Sequence, residues 1–173
     1  MSKLLEWIRD IIIALVIALV IMAFLKPMVV QEESMVSTFF DGDYIVVGRQ
    51  SYNIFGDIKR GDVVVFKSHI YDEHENPKNL IKRIIGLPGD TVEIKDGSVY
   101  LNGEMLDEEY VKEPGKSGNM ALITVPDGEV FVMGDNREVS EDSRSPRVGC
   151  VETDAILGKV LIRLYPFDDI KIF

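Results

Sequence analysis

The side chains that most often carry hydrolytic chemistry are scarce in this sequence. It contains two histidines, His69 and His74, and one cysteine, Cys150. Both histidines lie in a polar, acidic stretch where solvated side chains are expected, and no nearby cluster of nitrogen or thiolate groups would complete a zinc site. Cys150 has no obvious histidine base and is expected to be a small packed residue. We therefore expect no metal and no cofactor, and a serine hydrolase here would need another base.

Lys82 is the candidate for that base. It lies in the segment Asn-Leu-Ile-Lys-Arg-Ile-Ile-Gly, where strand alternation puts it on one face with Leu80 and Ile84. Burial between aliphatic neighbours would disfavour the ammonium and lower the lysine pKa from about 10.4. A neutral amine can accept a proton from a hydroxyl. The opposite face, with Ile81 and Ile85 in the core and Lys82 in water, fits the pattern equally well.

Ser34 is the candidate nucleophile because of its position. It follows Lys26 by eight residues, so it lies at most roughly 26 Å from the end of the apolar N-terminal run. An enzyme that acts on segments emerging from a bilayer would need its nucleophile there. The alternative is an ordinary loop hydroxyl.

The N-terminal segment is predicted to be an uncleaved transmembrane anchor. The unbroken apolar run Ile11–Leu25 would span roughly 22 Å as a helix, and the wider stretch Trp7–Val30 is long enough for a hydrocarbon core of about 30 Å. Arg9 and Lys26 would then lie near the two interfaces. A cleaved signal peptide is the alternative, but the run ends at Lys26-Pro27 without a small-x-small site. The basic residues favour a cytoplasmic amino terminus by a small margin.

After the anchor, the hydrophobic pattern changes to period two. Short strands are predicted at Asp43–Val47, Asp62–Phe66, Leu80–Ile85 and Ile156–Tyr165 (a closing strand), and hairpins at Thr91–Leu101 and Leu122–Met133, around Asp96-Gly97 and Asp127-Gly128. The stretches 69–79 and 104–118 are predicted to be loops, the second mobile. The fold class is therefore an all-β domain, a barrel or sandwich of short, mostly antiparallel strands, with one N-terminal transmembrane helix. The domains are residues 1–26, cytoplasmic tip and anchor, and 27–173, a β-rich domain with a hairpin-rich insertion at about 91–128.

The charge balance excludes one class of partner. The formal net charge is −10 at pH 7, and a domain this acidic repels phosphate backbones. Nucleic-acid binding is therefore not expected, whereas the apolar segment predicts contact with a lipid bilayer.

Three segments resemble the sequence boxes of type I signal peptidases, in the family's order. Their Ser-Met-x-Pro-Thr box resembles residues 34–38, Ser-Met-Val-Ser-Thr. Their lysine box resembles residues 82–90, Lys-Arg-Ile-Ile-Gly-Leu-Pro-Gly-Asp. Their Gly-Asp-Asn-Arg-x-x-Ser-x-Asp-Ser-Arg box resembles residues 134–144. The short hairpin region is similar to that of the smaller Gram-positive members.

The resemblance implies a membrane-bound serine endopeptidase with Ser34 as nucleophile and Lys82 as general base. Its substrates would be the signal peptides of secretory precursors, cut after small-x-small sites on the extracytoplasmic side of the cell membrane. The resemblance also places the Ser140 hydroxyl near the lysine and makes Asp142 and Arg144 an ion pair beneath the site.

Further site residues follow from the same resemblance. Asp135 and Arg137 could be a turn cap and a surface charge, but the match favours a supporting role. The walls of shallow apolar substrate pockets would be Val30, Met35, Leu80 and Ile81.

Two residues depart from the family pattern. Ser37 replaces the usual proline of the serine box, so the backbone after Ser34 is less restricted in φ. Glu32 lies where some relatives have a hydroxyl that helps to stabilise the oxyanion, and an ionised carboxylate cannot donate. We therefore expect an active enzyme whose oxyanion hole is incomplete or differently built.

Two other functions fit parts of the pattern. A relative that serves surface-fibre (pilus) assembly, as a chaperone or a narrow protease, would explain the altered serine box. A self-cleaving repressor of the Ser/Lys type would have a β-rich core, but it should carry a DNA-binding helical domain where this chain has an apolar segment.

Overall fold

A computed structural model describes residues 3–49 and 57–173. It begins with helix α1, Lys3–Phe24, none of whose residues is buried. At 1.5 Å per residue its 22 residues extend for about 33 Å, and its length and composition suffice to cross a membrane. The helix ends at Phe24, so the wider apolar stretch to Val30 is not helical throughout: Leu25–Val29 is a strand.

In the rest of the described chain, strands are the main regular secondary structure, joined by turns and irregular segments. In chain order these are β1 Leu25–Val29, β2 Tyr44–Arg49, β3 Val63–Tyr71, β4 Pro77–Gly86, β5 Thr91–Lys95, β6 Ser98–Leu101, β7 Glu104–Met105, β8 Met120–Thr124, β9 Glu129–Met133, β10 Val151–Glu152, β11 Ile156–Tyr165 and β12 Lys171–Ile172. A single 3₁₀ turn, Thr153–Ala155, precedes β11.

These strands form two antiparallel sheets. The larger has the order β1-β2-β11-β3-β4-β9-β10, with β12 paired to β11. The smaller has the order β7-β6-β5-β8. The predicted β-rich domain with one N-terminal apolar helix is therefore confirmed. The predicted strand Ile156–Tyr165 is also present, as β11, but it lies inside the large sheet, between β2 and β3.

The hairpin predicted at Leu122–Met133 is wrong. A turn does lie at Asp127-Gly128, and Gly128 has a φ of 77°, but the two flanking strands enter different sheets. β8 pairs with β5, whereas β9 pairs with β4 and β10. Val130–Met133 are all buried, so β9 needs cover on both faces, which a two-stranded hairpin with β8 would not provide.

The loop predicted at 69–79 is shorter than expected. β3 extends to Tyr71 and β4 begins at Pro77, which leaves residues 72–76 as the connection. The backbone N–H groups of His74 and Asn76 donate to Asp72 Oδ1 at 2.8 and 2.9 Å. This local Asx-type turn allows polar residues to continue as paired strand up to the tip.

The apolar core around the site is formed by both ends of the large sheet. One cluster contains Val30, Met35 and Phe39, from the segment after β1, packed with Ile45, Val47, Val63, Val65 and Val160. A second cluster, which includes Val64, Leu80 and Ile84, is formed mainly by side chains of β3, β4, β9 and β10. Met35 belongs to the first cluster, and Leu80 and Ile84 to the second, so the segments that carry Ser34 and Lys82 are each anchored in the core.

Candidate active site

Lys82 lies on the inward face of β4. It is paired with Val64 of β3, and its neighbour Arg83 is paired with Met133 of β9. Its exposed fraction is 2%, compared with 8% for Leu80 and 1% for Ile84. The alternative with Lys82 in water is therefore wrong, and the structure decides between two faces that the alternation pattern left open.

The Lys82 amine and the Ser34 hydroxyl are in direct contact. Lys82 Nζ donates to Ser34 Oγ at 2.7 Å and to the carbonyl oxygen of Ile81 at 2.9 Å. Burial lowers the pKa of Lys82 from 10.5 to about 8, although the carboxylates of Asp142, Glu32 and Asp135 act in the opposite direction. At mildly alkaline pH a large share of the amine is neutral, and a neutral amine accepts a proton from the hydroxyl across the same contact.

Ser34 is held by a residue from the third box. The backbone N–H of Asn136 donates to the Ser34 carbonyl oxygen, and Asn136 Nδ2 donates to that of Glu33, both at 3.0 Å. Ser34 itself is only 7% exposed. Asn136 was missed as a site residue, although its place in the third box was a signal for it.

Asp135 connects the serine segment to the lysine strand. Its carboxylate is fully buried and accepts from Arg83 Nε at 2.9 Å and Arg83 Nη2 at 2.7 Å. Thr38 Oγ1 also donates to it, at 2.5 Å, and the Arg83 guanidinium lies 4.1 Å from the centre of the Tyr110 ring. Asp135 is therefore a buried support and not a surface turn cap. Arg83 was missed, because its place on the face opposite Lys82 gave no sign of a buried partner.

Arg137 is likewise buried, with 3% of its surface exposed. Its guanidinium donates to both carboxylate oxygens of Glu108, to Ser117 Oγ at 2.7 Å and to the Gly134 carbonyl oxygen at 3.0 Å. Glu108 and Ser117 lie in the stretch 104–118 that was predicted to be a mobile loop. The ion pair ties that stretch to the site, a long-range contact that no local pattern indicates.

Asp142 and Arg144 form the expected ion pair. Arg144 Nε and Nη2 donate to the two oxygens of Asp142, each at 2.8 Å. Asp142 is fully buried and also accepts from the Gly134 N–H at 3.0 Å. The pair therefore fixes the backbone of the third box directly beneath the reactive side chains.

Ser140 lies close to the pair but does not contact the amine as expected. Within residues 3–49 and 57–173, its hydroxyl oxygen is the one buried polar side-chain atom that has no hydrogen-bond partner. Lys82 Nζ donates elsewhere, to Ser34 and Ile81. A Cβ on Gly134 would lie 2.3 Å from Ser140 Oγ and 2.5 Å from the Ser34 carbonyl oxygen, so only glycine allows these segments to approach so closely.

A cleft of about 330 Å³ opens beside Ser34 and Lys82. Val30, Leu80 and Ile81 line it, as predicted for pocket walls. Met35 does not line it; its side chain is 1% exposed and lies in the core cluster behind Val30. A second cavity of about 210 Å³ adjoins the same pair and is lined also by Glu32, Glu33, Leu80, Val139 and Glu141.

The two departures from the family pattern both have positive φ angles. Glu32 has a φ of 71° and Ser37 a φ of 91°. Proline is restricted to a φ near −65°, so the backbone at residue 37 follows a path that proline cannot adopt. Ser37 Oγ donates to the Tyr110 carbonyl oxygen at 2.5 Å, which fixes the serine segment to the stretch 104–118.

The other candidate groups lie apart from this site. His69 and His74 are exposed, and residues 3–49 and 57–173 hold no group of three His, Cys, Asp or Glu side chains that could bind a metal ion. Cys150 is half-buried, and burial raises the pKa of its thiol, which keeps it protonated at neutral pH.

A buried lysine amine in contact with a serine hydroxyl, beside an open cleft on a β-rich domain, is the arrangement of a serine hydrolase with a lysine base. Comparison with known proteins agrees with this class. The family model described as "Signal peptidase, peptidase S26" matches residues 4–165. This chain therefore belongs to the signal peptidase family, peptidase S26.

Individual relatives are similar along almost the whole chain. Signal peptidase I from Bacillus licheniformis is 38% identical over 180 residues, which cover 98% of this chain and 93% of that protein. Signal peptidase IB from Staphylococcus aureus is 36% identical and covers 98% of this chain and 94% of its own length. The crystal structure of a signal peptidase I from Enterococcus faecalis V583 is 33% identical, with a TM-score of 0.50, over 60% of this chain and 96% of that one.

The family predicted from the three boxes is thus confirmed, and with it the class of serine endopeptidase. Nothing in these relatives points to the surface-fibre alternative. The N-terminal apolar helix fits a membrane-anchored protein.

Proposed function

We propose that this chain removes signal peptides from secretory precursors on the extracytoplasmic side of the membrane, with Ser34 as nucleophile and Lys82 as general base. The observation that carries the proposal is the 2.7 Å contact between Lys82 Nζ and Ser34 Oγ. It lies in a buried site that opens into a cleft. The names of the relatives, all signal peptidases, support the substrate class.

The proposed reaction begins with neutral Lys82. The amine takes the proton of the Ser34 hydroxyl while Oγ attacks the carbonyl carbon of the scissile bond. The resulting ammonium then gives that proton to the leaving amine, and the signal peptide stays attached to Ser34 as an ester. Lys82, neutral again, activates a water molecule that hydrolyses the ester. The lowered pKa of Lys82, about 8, suits both directions of this proton transfer.

The supporting residues keep this geometry in place. Asp142 with Arg144, and Asp135 with Arg83, fix the third box against the serine and lysine segments. Ser140 is proposed to orient the amine during turnover: its buried hydroxyl has no other partner, and a hydroxyl can rotate towards Nζ once the Ser34 contact breaks. The oxyanion would be stabilised by the Ser34 backbone N–H and by a donor other than residue 32, since an ionised Glu32 cannot donate.

The cleft supports selection of small side chains. Val30, Leu80 and Ile81 provide apolar walls, and a volume near 330 Å³ is at the lower end for a binding pocket. An extended peptide in this cleft would present small side chains at the residue before the cut and two positions further back. Met35 supports the wall from behind through its contacts in the core around Val30.

The anchor would place the cut near the bilayer. With α1 in the membrane and residues 27–173 outside the cell membrane, Ser34 follows the end of the helix at Phe24 by ten residues. Met28 and Val29, on the strand that follows α1, line the cleft, so a signal peptide that leaves the bilayer beside α1 would emerge close to it.

The test is cleavage of a secretory precursor by detergent-solubilised full-length protein. The wild-type chain should cut after a small-x-small site, and Ser34→Ala and Lys82→Ala should each abolish cutting. Ser98→Ala, at a half-buried serine on β6 of the smaller sheet and outside the cleft, is the control and should leave cutting intact. An intact precursor with the folded wild-type chain would contradict the proposal and favour the surface-fibre alternative.

A further inference from the structure

Two charged residues face each other across the cleft beside the reactive pair. Lys78 Nζ lies 3.4 Å from Glu32 Oε1. Glu32 belongs to the segment that carries Ser34, and Lys78 to β4, which carries Lys82. Both residues line the cleft that contains Ser34 and Lys82. The ion pair therefore joins the two reactive segments at the substrate-facing surface.

The backbone at Glu32 is held in an unfavourable conformation. Its φ of 71° is in the left-handed region, which is costly for a residue with a Cβ. The Glu32 N–H donates to Asp41 Oδ1 at 3.2 Å, a contact that stabilises this conformation. Strain that persists beside a reactive centre is often part of how the site works; here it directs a carboxylate to the cleft.

The charges around Lys82 differ in how they are compensated. Asp142 and Asp135 are buried and paired with Arg144 and Arg83. Glu141, in the smaller cavity, pairs with Arg147 at 3.5 Å, and Glu33 lines the same cavity. Glu32 lines both cavities with Ser34 and Lys82, and its ion pair is with Lys78.

The charge of Glu32 affects both sides of the reaction. A carboxylate beside the pair stabilises the Lys82 ammonium, and so reduces the neutral base that is available. It also repels the negative charge that develops on the substrate carbonyl oxygen during attack. A cation that pairs with the carboxylate reduces both effects.

We propose that Lys78 is a positioning residue that holds the Glu32 carboxylate across the cleft and compensates its charge at the Ser34–Lys82 pair. The proposal rests on the proposed function for its effect on catalysis. Its effect on the proton affinity of Lys82 does not depend on cleavage. Lys78 contributes little to stability, since exposed ion pairs rarely do.

The test compares Lys78→Gln, Glu32→Gln, the double variant and Lys78→Arg in the full-length protein, with a secretory precursor at low salt. Loss of one positive charge beside the reactive pair in Lys78→Gln should lower kcat roughly 3- to 10-fold and move the midpoint of the pH–rate profile to higher pH. Glu32→Gln should move the midpoint to lower pH. The kcat of the double variant and that of Lys78→Arg should each lie within about twofold of wild type. In 1 M salt, the loss of kcat in Lys78→Gln should be smaller.

The matched control is the partly exposed ion pair of Lys95 with Glu93, 2.7 Å apart in the small sheet. Lys95→Gln and Glu93→Gln make the same charge changes and should leave kcat and the midpoint unchanged. If Lys78→Gln stays within twofold of wild type, or if the double variant is as slow as Lys78→Gln, the proposal is wrong.

A second measurement separates this proposal from the proposed function. The pH dependence of unfolding by denaturant between about pH 8 and 10.5 reports the titration of Lys82 whether or not the precursor is cut. Lys78→Gln should move that titration to higher pH and Glu32→Gln to lower pH. Cleavage that fails in the wild type while these shifts occur would overturn only the proposed function. Unmoved titrations would overturn the role of Lys78.

Discussion

The two halves of the reactive pair are held in opposite ways. Lys82 lies in the middle of β4, which is hydrogen-bonded to β3 on one side and β9 on the other. Ser34 lies in an irregular segment after β1, where two non-glycine residues have positive φ angles. Distant residues hold that segment: Asn136 at Ser34, Tyr110 at Ser37 and Asp135 at Thr38.

This difference separates two tasks. A strand in mid-sheet buries a lysine at a fixed depth, and that depth sets its proton affinity. A turn places a hydroxyl at an angle that regular structure does not provide, and it needs long-range hydrogen bonds to stay there. We therefore expect changes on the lysine side to act mainly through protonation, and changes on the serine side to act mainly through position.

The largest expected effect is that of Lys82→Met. Without the amine, cleavage should fall by about 10⁴-fold or more. The same change should stabilise the fold, because a pKa lowered from 10.5 to about 8 corresponds to about 3 kcal/mol of unfavourable burial at neutral pH. Loss of the contacts with Ser34 and Ile81 offsets part of this, so urea unfolding at pH 7 should show a net gain of about 1–2 kcal/mol.

The sign of the pH dependence checks the same point. Because the folded-state pKa of Lys82 lies below its unfolded value, Lys82 should contribute a gain in stability as the pH rises from about 8 to 10.5. Lys82→Met should lose that gain, while Lys95→Met, at an exposed lysine, should retain it. A less stable Lys82→Met protein at pH 7 would contradict the view that burial of the charge is costly.

On the serine side, Asp135→Ala should have the largest effect on stability. It removes a fully buried carboxylate and leaves the Arg83 guanidinium, which is 11% exposed, without its ion-pair partner. The expected loss is about 3–5 kcal/mol in the free energy of unfolding, with a parallel loss of activity because Thr38 is also released. Asp135→Asn keeps the shape and should lose less. Equal stability of the Ala variant and wild type would show that the serine segment does not depend on this contact.

The pH–rate profile tests the lysine side alone. Lys82 acts as a base only when neutral, so cleavage should rise with pH and level off above about 8. Below that value the rate should fall about tenfold per pH unit, to about 1% at pH 6. Circular dichroism at each pH controls for unfolding. A flat profile from pH 5 would sink the assignment of Lys82 as the base.

On the serine side, a smaller effect than that of Asp135→Ala is expected for Ser37→Pro, which restores the residue usual in the serine box. Proline cannot adopt the φ of 91° seen here, so this change should destabilise the chain by about 2–3 kcal/mol. Ser37→Gly relieves the strain but loses the bond to Tyr110, and should be nearly neutral. Thermal unfolding of the two variants compares them directly. A proline variant as stable as wild type would mean that the segment readily adopts another path.

Much of the lysine side could be predicted from the sequence. Alternation groups Leu80, Lys82 and Ile84 on one face without saying which face is buried, and the structure buries all three. The segments predicted as strands are strands for the same reason. In a half-buried strand, successive side chains point alternately to the core and to solvent, which gives the sequence a period of two. The pairing of strands could not be predicted in this way: the hairpin at 122–133 was wrong because a turn signal does not say which neighbour a strand will join.

The serine side was less predictable. The third box pointed to Asp135, Arg137, Asp142 and Arg144, but their partners Arg83, Glu108 and Ser117 come from other parts of the chain. The bond expected from Ser140 to Lys82 is absent, and Met35 lies behind the wall of the cleft. Such details depend on side-chain packing between segments that no local pattern describes.

The sequence by itself determined the apolar N-terminal helix, the period-two strands, the grouping of Lys82 with Leu80 and Ile84 on one strand face, and the family, because each depends on neighbouring residues or on short boxes. Only the tertiary structure decided that Ser34 and Lys82, 48 residues apart, meet at 2.7 Å. It also decided that β11 lies inside the large sheet and that Glu32 meets Lys78 across the cleft. These contacts are set by strand order, register and backbone conformation, which arise when distant segments pack together and bury their apolar faces.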